Sequence, residues 1–359
     1  MKILLISYGD TDYDGRLRSL INVFSQMGEV YTFSRGSHLA SKRGELCNIS
    51  YSSFIGKAVR YAKAVGPVDI MVLDNRKATI PGLLIRKLYH PKSVVQDCRE
   101  LYLLKEVHSF ASMAGSVFEK AMVKRADIVI CANKERAEIM QKEYALPVEP
   151  LVYENLRQLE YESDADLEAA KKKFASFLRE DEVRLISTSG CHLSRTNDVL
   201  VRNLKNVTKK CRLFIAGDSP VEDENEIQRL AAEDHVNEVT FLGRVNQTEL
   251  KYLISQCQIG IVNYGQYDTN NKYCASGKLY EFLYEGIPVV TTTNPPLKNF
   301  CDKYHVGIAD DLYFDAINTI LSNYLVYNNN VLSFIQYNTV EKNDLQLISV
   351  LKTLLRQNN

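Results

Sequence analysis

Several features that would point to particular functions are missing from this sequence. There is no C-x-x-C pair among the eight cysteines, at 47, 98, 131, 191, 211, 257, 274 and 301. None has metal-ligand spacing, and the six histidines form no ligand-spaced pair, so a zinc site is not expected. No apolar run approaches the roughly 20 residues that span a bilayer. The opening Lys2–Ser7 is too short for a signal-peptide core and meets Asp10 almost at once, so it reads as a first β-strand. Charge of either sign is not in excess either, with 44 basic against 44 acidic residues. A nucleic-acid binder usually carries a strong basic surplus, so that class is set aside. A cytoplasmic protein with reduced, mostly buried thiols is expected.

What is present is an alternation. Short β-rich runs at Lys2–Ser7, Glu29–Phe33, Asp69–Leu73, Ser93–Asp97 and Asp127–Cys131 are separated by helical patterns at Arg16–Met27, Phe54–Val65, Pro81–Tyr89, Ala114–Lys124 and Lys134–Tyr144. The second half repeats the scheme with strands expected at Val183–Thr188, Arg212–Ala216, Glu238–Leu242, Ile259–Asn263 and Ile287–Thr291. Continuous apolar strands between helices indicate parallel sheets covered on both faces. The 359 residues suffice for two such α/β domains. An irregular acidic stretch after Pro147 and Pro150 marks the join, giving a domain over 1–160, a second over 161–340 and a C-terminal helix over 341–359. That helix is a candidate for returning to the first domain.

The segment Ser276–Val290 carries the sharpest chemical signal. It reads as a loop, a short helix, a stop at Gly286 and a strand opened by Pro288. The helix begins in Ser276, Gly277 and Lys278, where free N–H groups and the positive dipole end favour a phosphate. Glu281, one turn in, is placed to accept hydroxyl hydrogen bonds. An ordinary helix-to-strand unit accounts for the segment about as well. The loop Ser187–Arg195 occupies the same position after a strand. Gly190 there permits close backbone approach, His192 can donate, and the planar fork of Arg195 suits phosphate oxygens. Gly217 and Gly243 close the next two turns, where plain turn glycines explain them nearly as well.

In the first half, Asp10-Thr-Asp-Tyr-Asp-Gly15 opens like a calcium loop, but its twelfth position is Ile21, not Glu. Loops at the carboxyl ends of parallel strands form ligand crevices, which makes Asp14, Gly15 and Arg16 candidate contacts. Asp97, Arg99 and Glu100 follow another strand and suit acceptor binding or proton handling, with a structural salt bridge as the even alternative. Between Tyr51 and Glu100 nine Lys or Arg stand against four acidic residues. Lys57, Arg60 and Lys63 lie at helical spacing beside Phe54, Ile55, Val59 and Tyr61, so this helix could rest on an anionic membrane, or simply be a solvated face.

Taken together, these segments resemble the GT-B glycosyltransferases, in particular the family 4-like bacterial enzymes that build surface polysaccharides. Lys278-Leu-Tyr-Glu-Phe-Leu-Tyr-Glu-Gly-Ile-Pro-Val-Val is similar to the family's K-x-x-E-Y-x-x-x-G-x-P-V-V signature. Tyr13–Arg18, Asp97–Leu101 and Arg125–Ala132 resemble its first-loop turn, its D-x-H-E-L stretch and its A-D-x-V-I strand. The resemblance implies two doubly wound Rossmann-like domains facing across a cleft, the first binding the acceptor and the second a nucleotide-sugar. It implies that Glu281 grips the donor ribose while Ser276, Gly277 and Leu279 hold the diphosphate, with Gly190, His192 and Gly243 nearby. Arg195 and Lys278 would stabilise the leaving phosphate without a metal or cofactor. Asp14, Gly15, Arg16 and Arg99 would meet a glycan or lipid-linked acceptor, with Glu100 as a catalytic candidate. A UDP-sugar and retention of configuration complete what the resemblance implies, and the basic helices add an expected place at the inner face of the membrane.

Two positions depart from the pattern. Many members carry a second Glu eight residues before the one at 281, where this chain has Tyr273. Where the family often has His before Glu100, this chain has Arg99. These departures keep a non-catalytic partner subunit of another transferase open; a nucleotide-sugar epimerase is the other alternative, but the paired acidic residues and histidines it uses around the sugar are not found here.

Overall fold

The computed structural model describes residues 1–233 and 239–357. The chain divides into two compact units, Met1–Asn155 together with Glu341 onward, and Leu156–Val340.

In the first unit, seven parallel strands run in the order β3-β2-β1-β4-β5-β6-β7. They are β1 (Lys2–Asp10), β2 (Glu29–Arg35), β3 (Arg43–Leu46), β4 (Ile70–Asp74), β5 (Ser93–Cys98), β6 (Ile128–Cys131) and β7 (Leu151–Val152). Helices α1 (Gly15–Ser25), α2 (Tyr51–Val65), α3 (Thr79–Tyr89), α4 (Phe110–Val123) and α5 (Lys134–Tyr144) connect them. Strands β4 and β5 are buried at every residue, as expected for a sheet covered on both faces. Asp14 caps α1, its carboxylate accepting from the Leu17 N–H at 3.0 Å.

The second unit holds six parallel strands in the order β10-β9-β8-β11-β12-β13. They are β8 (Val183–Ser187), β9 (Cys211–Ala216), β10 (Val239–Gly243), β11 (Ile259–Val262), β12 (Val289–Thr291) and β13 (Gly307–Ala309). Its helices are α6 (Asp164–Phe174), α7 (Asn197–Asn203), α8 (Val221–Glu233), α9 (Gln247–Ser255), α10 (Thr269–Lys272), α11 (Gly277–Tyr284), α12 (Pro295–Tyr304), α13 (Phe314–Ser322) and α14 (Tyr324–Tyr337). Helix α11 is seated deeply: a Cβ on Gly260 of β11 would stand 2.3 Å from the Phe282 ring, so only glycine lets the helix come this close.

Helix α15 (Val340–Gln357) closes the chain. Its Leu347, Ile348, Leu351 and Leu355 share one core with β1, β4 and α1 of the first unit, and Tyr153 donates a buried hydrogen bond to Asp344 at 2.6 Å.

Strands β3, β7 and β13 were absent from the sequence reading. The first is a half-exposed edge strand without alternation, and the other two span only two and three residues. The strand expected from Glu238 is seen from Val239, Glu238 itself lying outside the described residues. Helix α4 begins at Phe110, a full turn before the expected Ala114. Met122 and Val123 at its end are buried, but so are Ser116 and Glu119, while Phe110 is 87% exposed and Met113 and Val117 are exposed with it.

Candidate functional site

In both sheets the strand order reverses at one place, between β1 and β4 and between β8 and β11. A crevice outside the carboxyl ends of the strands is the usual ligand site of such a sheet. The candidate residues fall into two clusters, one at each of these switch points.

In the second unit, Ser276 precedes the eight-residue helix α11 and makes no side-chain cap. Its hydroxyl is buried and has no hydrogen-bond partner among the described residues, nor do the hydroxyls of Ser187 and Thr188 at the end of β8. One guanidinium nitrogen of Arg195, Nη1, is in the same state. Each buried polar group left so costs about 1–3 kcal/mol, a cost a polar ligand would remove. Arg195 ends a short 3₁₀ turn, with its guanidinium 4.6 Å from the centre of the Tyr264 ring, and this fixes the cation.

Lys278 donates to the Ser189 hydroxyl at 3.1 Å. Burial, and then the nearby charge of Arg195, bring its ammonium down to a pKa of about 8, with Glu281 opposing. Glu281 is 3% exposed and pairs with Arg157 at 3.1 Å. Burial raises its carboxyl, against the pull of Arg157 and Lys278. The site therefore strains both charges toward neutrality, and the two shifts have one physical origin in lost hydration.

Gly190 follows Ser189 and borders this cluster. Its φ of +69° and a Cβ position 2.0 Å from the Asp218 carbonyl oxygen give it a packing task between the two loops. The His192 carbonyl accepts from the Arg195 N–H at 3.0 Å and from the Asn197 amide at 2.9 Å. The Gly243 carbonyl accepts from Gly217 at 2.8 Å, beside an exposed ion pair between Arg244 and Asp218. Leu279 points into the core, which leaves only its backbone for a ligand at Gly277 and beyond. Arg157, Ser189 and Tyr264 were missed in the sequence. For Arg157 a signal existed: Leu156 and Leu159 on either side belong to the core of this unit, so the stretch after Pro150 is anchored rather than free linker.

The first unit holds a denser charge network. The Arg16 guanidinium contacts both oxygens of buried Asp97, at 2.5 and 3.2 Å, and donates to the Tyr153 carbonyl and to Asn155. Arg99 bridges Asp14, at 2.5 Å, and Asp74, which also accepts from Ser7 at 2.5 Å. Burial would lower the Arg99 guanidinium, but Asp74, Asp14 and Asp97 outweigh it and hold the charge firmly on. Burial raises the Asp74 carboxyl, with Arg99 opposing. Arg16, Arg99, Asp14 and Asp97 are thus engaged with one another's networks, and Gly15 is the first residue of α1. Glu100 accepts from the Asn75 side chain at 3.1 Å and lines a cavity of about 360 Å³ together with Asp14 and Arg99. The other carboxylates of the D-x-D-x-D run have local partners. Asp10 accepts from the Asp12 N–H at 3.0 Å, and Asp12 from Ser37. Among the described residues no group of three acidic, His or Cys side chains could hold a metal.

Residues 186–323 match the family model described as Glycosyl transferases group 1. No curated protein matches the chain at a significant level. Solved structures share the fold over nearly the whole chain. HepE of Anabaena, in complex with UDP and glucose, superposes with a TM-score of 0.75 at 15% identity, covering 98% of this chain and 100% of that one. Sucrose-phosphate synthase of Thermosynechococcus elongatus gives 0.73 at 18%, with 99% and 100% covered. UDP-GlcNAc 2-epimerase of Neisseria meningitidis, bound to UDP-GlcNAc, gives 0.60 at 12%, with 98% and 100% covered. The fold is that of the GT-B glycosyltransferases.

Proposed function

We propose that this chain transfers a sugar from a UDP-sugar to a glycan or lipid-linked glycan, without a metal and with retention of configuration. The observation that carries the reading is the group of buried, unpartnered polar atoms at the switch point of the second sheet. Ser276 Oγ and Arg195 Nη1 there lack partners, beside a Lys278 kept near its titration point. A departing nucleoside diphosphate builds negative charge, which fixed cations and helix N–H groups stabilise without reorganisation. Glu281 is placed one turn inside the same helix, where a ribose hydroxyl can donate to it. The bound UDP and glucose of HepE support the choice of nucleotide. Retention follows from the family resemblance.

Thermal shift with UDP-, GDP-, dTDP- and CMP-sugars tests this, because a ligand of the folded state raises Tm by mass action. UDP-sugars should shift the folded chain most, and Glu281→Ala and Arg195→Ala should each reduce the shift. Silence across the panel would favour the partner-subunit reading, which the tie of Arg99 to Asp14 and Asp74 keeps in view.

Contact with an anionic membrane belongs to the same proposal, but its location moves. On α2 the apolar Phe54 and Ala58 are in the core, and Lys57, Arg60 and Lys63 present a polar, solvated face. The exposed Phe110, Met113 and Val117 of α4, with Leu84 and Leu88 exposed on neighbouring α3, offer apolar area on helices that also carry exposed Lys87, with Lys124 following α4. That combination suits insertion at a headgroup layer. No described helix is long and apolar enough to cross a membrane.

A further inference from the structure

At and beside the first-unit cavity lie cations that the networks above do not use. Arg76 and Lys77 follow β4 at the switch point and line the cavity with Tyr8 and Tyr102. Arg76 lies over the Tyr102 ring at 4.6 Å, with one further bond, to Ser116 Oγ at 3.2 Å. Lys77 and Arg35 lie 4.8 and 4.9 Å from the centre of Tyr8. The Arg35 Nε is buried without a hydrogen-bond partner among the described residues. By contrast with Arg16 and Arg99, none of these three pairs with a carboxylate among the described residues. Buried Glu119 lies near Arg76, and burial raises its carboxyl to a pKa of about 8 against the pull of that cation.

The backbone here is held in an unusual shape. Asn75 has φ 62° and ψ 178°, a region in which non-glycine residues cost of order 1–3 kcal/mol. Its side chain binds both neighbours, accepting from the Arg76 N–H at 2.8 Å and donating to Glu100 at 3.1 Å. The strained residue therefore sets the cation turn and the Glu100 carboxylate in a fixed relation.

We propose that this cavity binds the anionic group of a charged saccharide, a phosphate or a uronate, through Arg76 and Lys77, while Glu100 meets a hydroxyl of the same sugar. The inference rests on the reading of the first unit as the acceptor unit, and it narrows the acceptor class to anionic sugars. Arginine forks match both phosphate and carboxylate oxygens, and an ammonium adds charge without geometric choice. The aromatic rings of Tyr8 and Tyr102 hold the cations in place.

The test is calorimetric titration of the full chain, saturated with UDP so that the second unit is occupied, using glucose 6-phosphate, glucuronate and glucose. At least one anionic sugar should bind ten times or more tightly than glucose. Lys77→Gln, at an exposed position that folding tolerates, and Arg76→Gln/Lys77→Gln together should each weaken that binding, the pair by tenfold or more. UDP affinity should stay within twofold. A preference for glucose 6-phosphate identifies phosphate as the group, and a preference for glucuronate identifies the carboxylate. Equal binding of all three sugars, or an unchanged anion affinity in the double variant, would overturn the proposal. Should UDP itself fail to bind, the donor reading falls separately, and the same titrations on an Arg195→Ala/Lys278→Ala background still decide this one.

Discussion

The Arg157 guanidinium lies 3.1 Å from the Glu281 carboxylate, one residue on the entry to the second unit and the other inside α11. Leu156 and Leu159 bury on either side, so the pair is fixed by packing as well as by charge. Glu281→Ala should weaken UDP binding by ten- to a hundredfold, the range that a hydrogen bond to a charged group of about 1.5–3 kcal/mol supplies. Arg157→Met should also weaken it, by leaving Glu281 more readily protonated. Its own effect on stability should stay under about 1 kcal/mol, because Arg157 is 39% exposed and screened by solvent. Titration calorimetry and urea unfolding separate the two effects.

Affinity for UDP should fall with rising pH. The Lys278 ammonium titrates at about 8 in the free protein, and its charged form attracts the diphosphate. The attraction is complete below that pH and declines above it, up to the higher pKa that the bound anion imposes. Lys278→Arg keeps its charge and should bind with a flat profile between pH 7 and 9. A wild-type profile equally flat would show that Lys278 does not meet the diphosphate.

Arg99→Met should destabilise the first unit by about 3–5 kcal/mol, since it leaves Asp14 and Asp74 facing each other without the cation between them. The loss should shrink in acid. The Asp74 carboxyl is already raised by burial, and its protonation in the folded state stabilises that state as pH falls. Thermal melts of both proteins at pH 5 and pH 8 give the comparison, and a loss that grows toward pH 5 contradicts the account.

Flotation with vesicles containing anionic lipid should depend on α4. Replacing Phe110, Met113 and Val117 with Ser removes exposed apolar area without touching the core, so membrane recovery should drop severalfold while the melting temperature holds. Neutralising Lys57, Arg60 and Lys63 should have the smaller effect. The reverse order would return the contact to α2.

The sequence made two parallel α/β units legible because most of their strands are continuous apolar runs, and those runs appear as β1, β2, β4, β5, β6 and β8 to β12. It also located the start of α11, where residue type, dipole and Gly286 all agree. Pair partners were not legible. Arg16 and Arg99 look like ligand cations in sequence, yet Asp97, Asp14 and Asp74 take them up from positions up to 85 residues away. The cations left over, Arg76 and Lys77, sit in a short 3₁₀ turn after β4 that has no periodicity to mark it. Helix α4 was misjudged at its start because apolar residues signal burial, and at Phe110 and Met113 they face solvent.

The place of α15 in the first unit bears on how the chain is made. Its apolar residues complete the core around β1 and α1, and Asp344 satisfies the buried hydroxyl of Tyr153. Some 185 residues of the second unit, Leu156 to Val340, are synthesised between the two parts. During translation the earlier unit therefore lacks part of its core until α15 has been made. The later unit is contiguous and can mature first, reversing the usual amino-to-carboxyl order of folding. A truncation near position 340 would strike the unit that was made earliest.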